Sequence, residues 1–538
     1  MIILKKRPTG SKIVLTSSAT EMSGFKRNPF FAFVGSFPKG VLPLSFCRRF
    51  YPPVLKKDVA ASEKGITHYA PYGLRKVEAS LIDNGGFDES DVVCVHPYYL
   101  NQFIGPKTKV VGITAMDSLG LAYVSLTYSN LLRTFGEMSS IPLNTIEFQK
   151  LCHSKALRRA RPDCKVIVGG AGAWQVKGAN TRNFLGIDSV MIGEGDKEVP
   201  KLFRLAADGK KIPPVVYTSS PDEDEIPLIK HASIYGNVEI SRGCGRHCQF
   251  CTPTMQRRRD VPISKIIKEV EINVKEGADM ITTATEDALL YKCNDKKFIP
   301  NEDAVTGLFK KLASYDQILS IQPAHISLAP VVAVPKLIEE LSNILIEKSY
   351  YKHNGKPKIA VETGIESGSS RLMTKYMRGK SLPFKPEEWQ EVVTQAYGIL
   401  NDNDWVPLST LIVGFPGETE EDTIQTLELI DDLKSYTSFF VPLLFVPLDK
   451  CILQNERGAD LNSLSDLQWE FLSRCWRYNV QIWKDTWFSF ESFYRKVLQS
   501  ALAKVIVPFI GAAAYLTWFK WRTGAQYYKK FITEVARI

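Results

Sequence analysis

Gly243-Cys244-Gly245-Arg246-His247-Cys248-Gln249-Phe250-Cys251 is the stretch on which the reading of this chain turns. Its three cysteines are separated by three and then two residues, directly behind a strand-like run, Asn237-Val238-Glu239-Ile240-Ser241. A short loop bearing glycines can fold three thiolates towards one point. Soft sulfur ligands at that point suit an iron–sulfur cluster or zinc. Three ligands rather than four leave one metal position open to a substrate or cofactor. The competing reading is a Cys3His zinc site completed by His247. Zinc knots usually pair their ligands at two separated positions, and no second cysteine pair lies nearby.

Downstream of the loop the chain alternates between strand and helix patterns. Pro262 opens a helix whose buried face is marked by Ile263, Ile266, Ile267, Val270 and Val274 and which Gly277 stops. The run Met280-Ile281-Thr282-Thr283-Ala284-Thr285 reads as a strand ending in Glu286-Asp287. Further βα units are expected at Ile326-Ser327-Leu328 with helix 336–347, and at Lys358-Ile359-Ala360-Val361 with a helix from Ser370. The last are Leu408 to Val413 with helix 420–434, and a strand from Phe439 to Leu448. Tyr291, Cys293, His325, Tyr351 and His353 fall near these ends with no role that sequence assigns.

At this point the chain resembles a known family. A cysteine triplet of this spacing, with the aromatic Phe250 before the third cysteine, is the signature of the radical S-adenosylmethionine (SAM) enzymes. The resemblance implies that Cys244, Cys248 and Cys251 hold a [4Fe–4S] cluster. SAM would chelate the open iron and be cleaved by one electron to a 5′-deoxyadenosyl radical. It also implies a partial (β/α)6 barrel, whose chemistry gathers at the carboxyl ends of the strands. There Glu286 and Asp287 match the groups that hold the SAM amino end. Glu362, Glu366 and Ser367 match the ribose- and carboxylate-contacting segment, and Gly414 and Pro416 the adenine-contacting turn. Taken singly, each of these is equally a strand-end turn or helix cap.

The N-terminal third carries a second pattern. Leu74 to Ile82 has helical apolar spacing and ends at Gly85-Gly86. Val92-Val93-Cys94-Val95-His96, Lys109 to Thr114, Cys164 to Val168 and Ser189 to Ile192 are continuous apolar runs, as strands buried on both faces should be. Glu147 to Arg161 reads as another helix. Alternation of this kind predicts a parallel sheet with helices on both sides, and ligands beyond the carboxyl ends of its strands. The order of these loops ahead of the cysteine triplet is similar to the cobalamin-binding domain of cobalamin-dependent radical SAM enzymes. That resemblance implies that Thr114, Asp117, Ser118, Leu119 and Gly120 face the corrin, and that Gly169, Gly170, Gly172, Gly193, Glu194 and Gly195 line the nucleotide tail. The histidine that other cobalamin proteins supply to cobalt has no counterpart, because Asp117-Ser118-Leu119-Gly120 contains none. Either a bound cobalamin lacks a histidine ligand from this loop, or the domain keeps the fold and binds none.

The expected fold class is therefore α/β. A Rossmann-like, doubly wound domain of cobalamin-binding type occupies 1–204, a proline-punctuated linker 205–235, and the radical SAM partial (β/α)6 barrel 236–455. A helical C-terminal extension follows over 456–538. The expected cofactors are the [4Fe–4S] cluster, SAM and, where the first domain is loaded, cobalamin.

Composition bounds the rest. The 538 residues are 44% hydrophobic and 23% charged, ordinary for a soluble globular protein. Cys47, Cys94, Cys152, Cys164, Cys293, Cys451 and Cys475 are scattered without a disulfide framework and read as reduced thiols in a cytoplasmic protein. No secretory pattern follows Met1. The net charge of +10 makes anionic partners reasonable without choosing among them. Met255-Gln256-Arg257-Arg258-Arg259 is read as a solvated basic face, with an anion clamp at the barrel mouth as the sharper alternative. In the tail, Trp469, Trp476, Trp483 and Trp487 precede an uncharged run from Val505 to Phe519 that Pro508 interrupts. It is shorter than the ~20 apolar residues a spanning helix needs. An interfacial segment and a helix pair packed on the barrel remain the two readings.

Sequence thus points to an enzyme that functionalises unactivated C–H bonds. The tail and the basic balance make it look similar to archaeal enzymes that form cyclopentane rings in tetraether membrane lipids. A cobalamin-dependent methyltransferase acting on a lipid, natural product or peptide is the alternative. From other classes come an RNA-modifying relative such as a methylthiotransferase, and a zinc-binding module. The expected partners are a lipid or other small-molecule substrate, an electron donor such as ferredoxin or flavodoxin, and a peripheral contact with the cytoplasmic membrane. Nucleic acid is disfavoured, because neither a C-terminal RNA module nor a second cysteine set is evident.

Overall fold

The computed structural model describes residues 9–25, 35–36, 65–133 and 141–488. Cys47 and the apolar run at 505–519 lie outside the described residues, as does the side chain of Trp487. The chain forms two compact units. One spans residues up to 133, 137–240 and 259–282; the other takes in 241–258 and the chain from 283 onward.

In the first unit six strands form one parallel sheet: β1 (Ile13–Ser17), β2 (Val92–Cys94), β3 (Val110–Thr114), β4 (Lys165–Gly169), β5 (Ser189–Ile192) and β6 (Val215–Tyr217). Their order is β2-β1-β3-β4-β5-β6. Successive side chains of a strand point to opposite faces, and here both faces are covered. Ile13, Leu15, Val110, Ile167 and Met191 pack against α1 (Tyr72–Asp83) on one side, together with Val199, Leu202 and Phe203. Val14, Val111, Ile113, Val166, Val168 and Val190 pack on the other with Phe148 and Leu151 of α2 (Leu143–Cys152) and with Leu157. The continuous apolar runs are continuous for this reason. The helix expected over Glu147–Arg161 is two helices, because Ser154 leaves the first and caps a second, Lys155–Ala160, accepting from the Leu157 amide. Segment 205–235 belongs to this unit, as do β7 (Asn237–Glu239), α3 (Ile263–Lys275) and the first residues of β8 (Met280–Ala284).

The second unit continues the alternation through α4 (Glu302–Ala313), β9 (Ser320–Pro323), α5 (Pro335–Leu345), β10 (Ile359–Glu366), α6 (Trp389–Asp402), β11 (Trp405–Val413), α7 (Glu420–Leu433) and β12 (Phe439–Leu444). Strands β10, β11 and β12 pair in parallel. The strand expected at Ile326–Leu328 lies earlier, at Ser320–Pro323, and Leu328 instead begins a helix behind Ser327. The polar Gln322 and the proline after it hid the true strand from a hydropathy reading. Of the tail, α8 (Asp466–Phe488) packs on the last strand. Asn479 is fully buried; its Oδ1 accepts from the Phe440 amide at 2.7 Å and its Nδ2 donates to the Phe440 carbonyl at 2.7 Å. It satisfies backbone groups that the edge strand would otherwise leave unpaired. The Trp483 indole N–H likewise donates to the Ser438 carbonyl. No described helix is long and apolar enough to cross a membrane.

Candidate active site

The cysteine loop is shaped by backbone that only small or strained residues adopt. Gly243 and Gly245 have φ of 72° and 77°, and His247 is also left-handed at 57°. Cys244 and Cys248 are buried and Cys251 is half-buried. Arg246, only 3% exposed, pins the loop: its guanidinium donates to the Gly379 and Lys380 carbonyls and to Asp287 Oδ2 at 3.2 Å, and lies 4.7 Å from the Phe298 ring centre. The Gln249 amide donates to the Tyr376 carbonyl. Phe250 meets Phe415 edge-on at 5.5 Å, and Phe415 stacks on Tyr376 at 5.7 Å, forming an apolar wall behind the third cysteine.

Burial raises the Cys244 thiol, and pushes Cys248 up to about 11 against the opposing charges of Lys380 and Arg246. A metal removes that penalty, since a coordinating thiol is deprotonated outright. Among the described residues no three His, Cys, Asp or Glu side chains converge to hold a single metal ion, and His247 is exposed. A cluster binds each thiolate at a different iron, so its sulfurs need not meet at one point. The loop fits that donor set better than Cys3His zinc.

Around the strand ends the structure joins residues that sequence left apart. His325 Nε2 lies 2.6 Å from Glu362 Oε2. Its side chain is partly accessible, at 44%. Burial works against its charge, but Glu362 and its hydrogen bond, followed by Glu286, raise it to about 9. Glu286 is itself raised by desolvation, with His325 and Arg258 opposing. His325, to which sequence assigned no role, therefore pairs with Glu362 and lies within the field of Glu286. Only the pairing of chain segments far apart reveals it.

Glu366 sits in a left-handed conformation (φ 65°), accepting from Lys380 Nζ at 3.1 Å and from Thr410 Oγ1 at 3.2 Å. A Cβ on Gly364 would come within 2.0 Å of Glu366 Oε1, so glycine makes room for this pair. Other expected contacts are already engaged. Asp287 is fully buried against Arg246 and the Leu289 amide. The buried Ser367 hydroxyl lies 3.1 Å from Thr426 Oγ1 and accepts from the Ser369 amide. The amides of Gly414 and Phe415 donate to Glu418, and the Pro416 carbonyl accepts from Tyr376 Oη. Ser369 and Thr419 act as helix caps.

In the first unit, β1 is flanked by β2 and β3, and that junction is the switch point where open sheets bind ligands. Asp117 and Ser118 point inward there. Asp117 Oδ1 accepts from the amides of Leu121 and Ala122 and from Gln175 Nε2, and Ser118 Oγ donates to the Gly172 carbonyl. Leu119 packs on the sheet core, and its amide donates to Gln175 Oε1. Gly120 has φ 75° against Pro142. A Cβ on Gly170 would meet the Ala115 carbonyl at 2.7 Å, and one on Gly172 the Met116 carbonyl at 2.6 Å. Thr114 is half-buried, and its carbonyl accepts from Ser17 Oγ. The accessible rim consists of Met116 (63% exposed), Leu121, Gly170 and Gly193, with Gly169 and Gly195 partly covered. Glu194 is held by Arg259. Sequence reading missed Met116 and also Glu21, which accepts from Ser17 Oγ and the Met116 amide. Burial, with Asp117 adding to it, raises Glu21 to about 7.

Residues 238–430 match the family model described as the radical SAM superfamily. Fold and site thus define the class of this segment: residues 238–430 are a radical SAM domain, a class that uses a [4Fe–4S] cluster and SAM. Among curated proteins the chain is similar to two tRNA-2-methylthio-N(6)-dimethylallyladenosine synthases. One, from Fusobacterium nucleatum, is 29% identical over 54% of this chain and 62% of the relative. The other, from Natranaerobius thermophilus, is 26% identical over 53% and 59%. The matched part of the chain thus spans less than two thirds of these relatives' length. Among solved structures it is similar to the radical SAM methyltransferase TsrM from Kitasatospora setae, with tryptophan substrate and a SAM analogue bound. That match has a TM-score of 0.53 at 14% identity, covering 82% of this chain and 76% of that one. A second TsrM structure, with cobalamin and a [4Fe–4S] cluster bound, has a TM-score of 0.51. At that identity the likeness concerns the fold.

Proposed function

We propose that this chain is a cobalamin-dependent radical SAM enzyme that functionalises an unactivated carbon, with methyl transfer as the outcome. The observation that carries the reading is the buried, Arg246-pinned cysteine loop beside the strand-end groups Glu286, His325, Glu362 and Glu366. In this reading Cys244, Cys248 and Cys251 bind the cluster and leave one iron to SAM. The loaded site supplies a radical able to take hydrogen from a C–H bond that no side chain could deprotonate. The protein's own residues position and shield it. Glu286 would accept hydrogen bonds from the SAM amino end, and Glu362, held in place by His325, would face the SAM ribose and carboxylate. Lys380 and Thr410 orient Glu366, and the Phe250–Phe415–Tyr376 wall keeps water from the cluster side.

Cobalamin suits the first unit, because Gly170 and Gly172 let two loops close on each other and leave Met116 and Leu121 as an exposed apolar rim at the switch point. Its likeness to a fold seen with cobalamin bound supports the same reading.

Methylthiolation of tRNA is the second reading, favoured by the curated relatives. The resemblance to that group leads one to expect a second cysteine set. In the first unit Cys94, Cys152 and Cys164 are buried core thiols, with burial pushing the last two up to about 12. Ring formation in tetraether lipids has the support of sequence alone, since the segment that suggested it lies outside the described residues.

Anaerobic reconstitution tests the proposal. Iron and sulfide near four per chain, about one [4Fe–4S] cluster, and SAM-dependent 5′-deoxyadenosine that Cys248→Ala abolishes would support it. Stoichiometric zinc, or an unchanged rate in the variant, would sink it. Deuterium from methyl-labelled SAM in the product separates methyl transfer from cyclisation.

A further inference from the structure

A cleft of about 1170 Å³ opens beside the cysteine loop and takes Gly245, His247 and Gln249 as part of its wall. Glu286, His325, Glu362 and Glu366 are not among its lining residues. The cleft therefore approaches the cysteine loop by a side other than the strand ends to which the proposed function assigns SAM and substrate. Its charge is one-sided. Lys296, Lys375 and Arg378 are exposed on its walls, and no carboxylate pairs with them among the described residues. Arg246 and Arg371 are answered by Asp287 and Asp422, and Glu387 is the sole carboxylate of the lining. Phe298, Leu382 and Ile452, the last 59% exposed, add an apolar component.

We infer that this cleft is the docking surface for a small acidic one-electron carrier protein, an inference that rests on the proposed radical SAM chemistry. Its cations stand on exposed side chains that no described carboxylate neutralises, where they steer a macromolecule of opposite charge. An RNA is the other polyanion to consider. Its reacting base would have to reach the strand-end residues, which this cleft does not include. One electron passes from the reduced carrier to the cluster on Cys244, Cys248 and Cys251. The carrier is oxidised by one electron and the cluster reduced by one, with no bond or proton moved.

The test uses the reconstituted full chain and flavodoxin in its hydroquinone form, with the bleaching of cluster absorbance followed by stopped flow. In the triple variant Lys296→Glu, Lys375→Glu, Arg378→Glu the second-order rate of reduction by flavodoxin should fall about tenfold or more. Iron content and dithionite-driven 5′-deoxyadenosine formation should hold. A flavodoxin rate within about twofold of wild type, or lost tRNA binding with flavodoxin reduction intact, overturns the inference. Should the triple variant lose its cluster, the wild type decides alone. Its flavodoxin rate must drop as salt rises from about 0.05 to about 0.5 M, and a salt-independent rate overturns the inference. A wild-type chain that takes up no cluster sinks the functional reading itself.

Discussion

Arg259 grips Glu194 through two hydrogen bonds, Nη1 to Oε2 at 3.0 Å and Nη2 to Oε1 at 2.6 Å. Arg259 is 4% exposed and also donates to the Pro221 carbonyl. The last arginine of the basic triplet is thus no solvated charge. It anchors the loop behind β5, which carries three of the expected nucleotide-tail residues. Removing one partner of a buried pair strands the other without compensation.

Glu194→Ala should therefore destabilise the first unit by about 3–5 kcal/mol, whereas Glu194→Met combined with Arg259→Met should recover most of that loss. Urea unfolding of the three proteins checks this. A single-variant loss under about 0.5 kcal/mol would return Arg259 to the surface.

The His325–Glu362 contact predicts a pH dependence with a definite sign. A histidine raised from its usual value near 6.5 to about 9 binds its proton more tightly in the folded chain. Its stabilising contribution is fully present below about pH 6.5 and is lost as pH rises through about 9. The thermal midpoint of His325→Gln should fall below wild type at neutral pH and converge with it in more alkaline buffer. Nitrogen-15 spectra of the histidine-labelled apoprotein should show one imidazole titrating well above the rest.

Gly364→Ala would drive a methyl group into the Glu366–Lys380 pair. Those atoms end flexible side chains, so the pair should separate while the strand stays in place. We expect cluster content to hold and SAM affinity to fall about tenfold, ~1.4 kcal/mol. Calorimetric titration of SAM into the loaded protein measures it, and an unchanged affinity would remove Glu366 from the site.

Met116 and Leu121 are exposed apolar side chains beside a switch point. Met116→Asp with Leu121→Asp should leave stability within about 0.5 kcal/mol yet abolish retention of hydroxocobalamin after desalting, read from its visible absorbance. Retention at the wild-type level would move cobalamin away from these loops, and a wild type that retains none would leave the first unit as a fold without the cofactor.

What sequence alone determined is what repeats locally. Cysteines three and two residues apart share one loop by chain geometry. Apolar runs such as Val110–Thr114 and Lys165–Gly169 announce strands covered on both faces, because period-two side chains leave neither face polar. Glycines after Val168 and Ile192 mark the strand ends. Tertiary structure decided everything that depends on residues distant in the chain. It paired His325 with Glu362, Lys380 with Glu366 and Arg259 with Glu194, and set Asn479 against the edge of β12. It also turned Asp117 and Ser118 inward while exposing Met116 between them and the strand. A charged or amide side chain carries no mark of its partner; burial makes that partner obligatory, and only the folded chain brings it within reach.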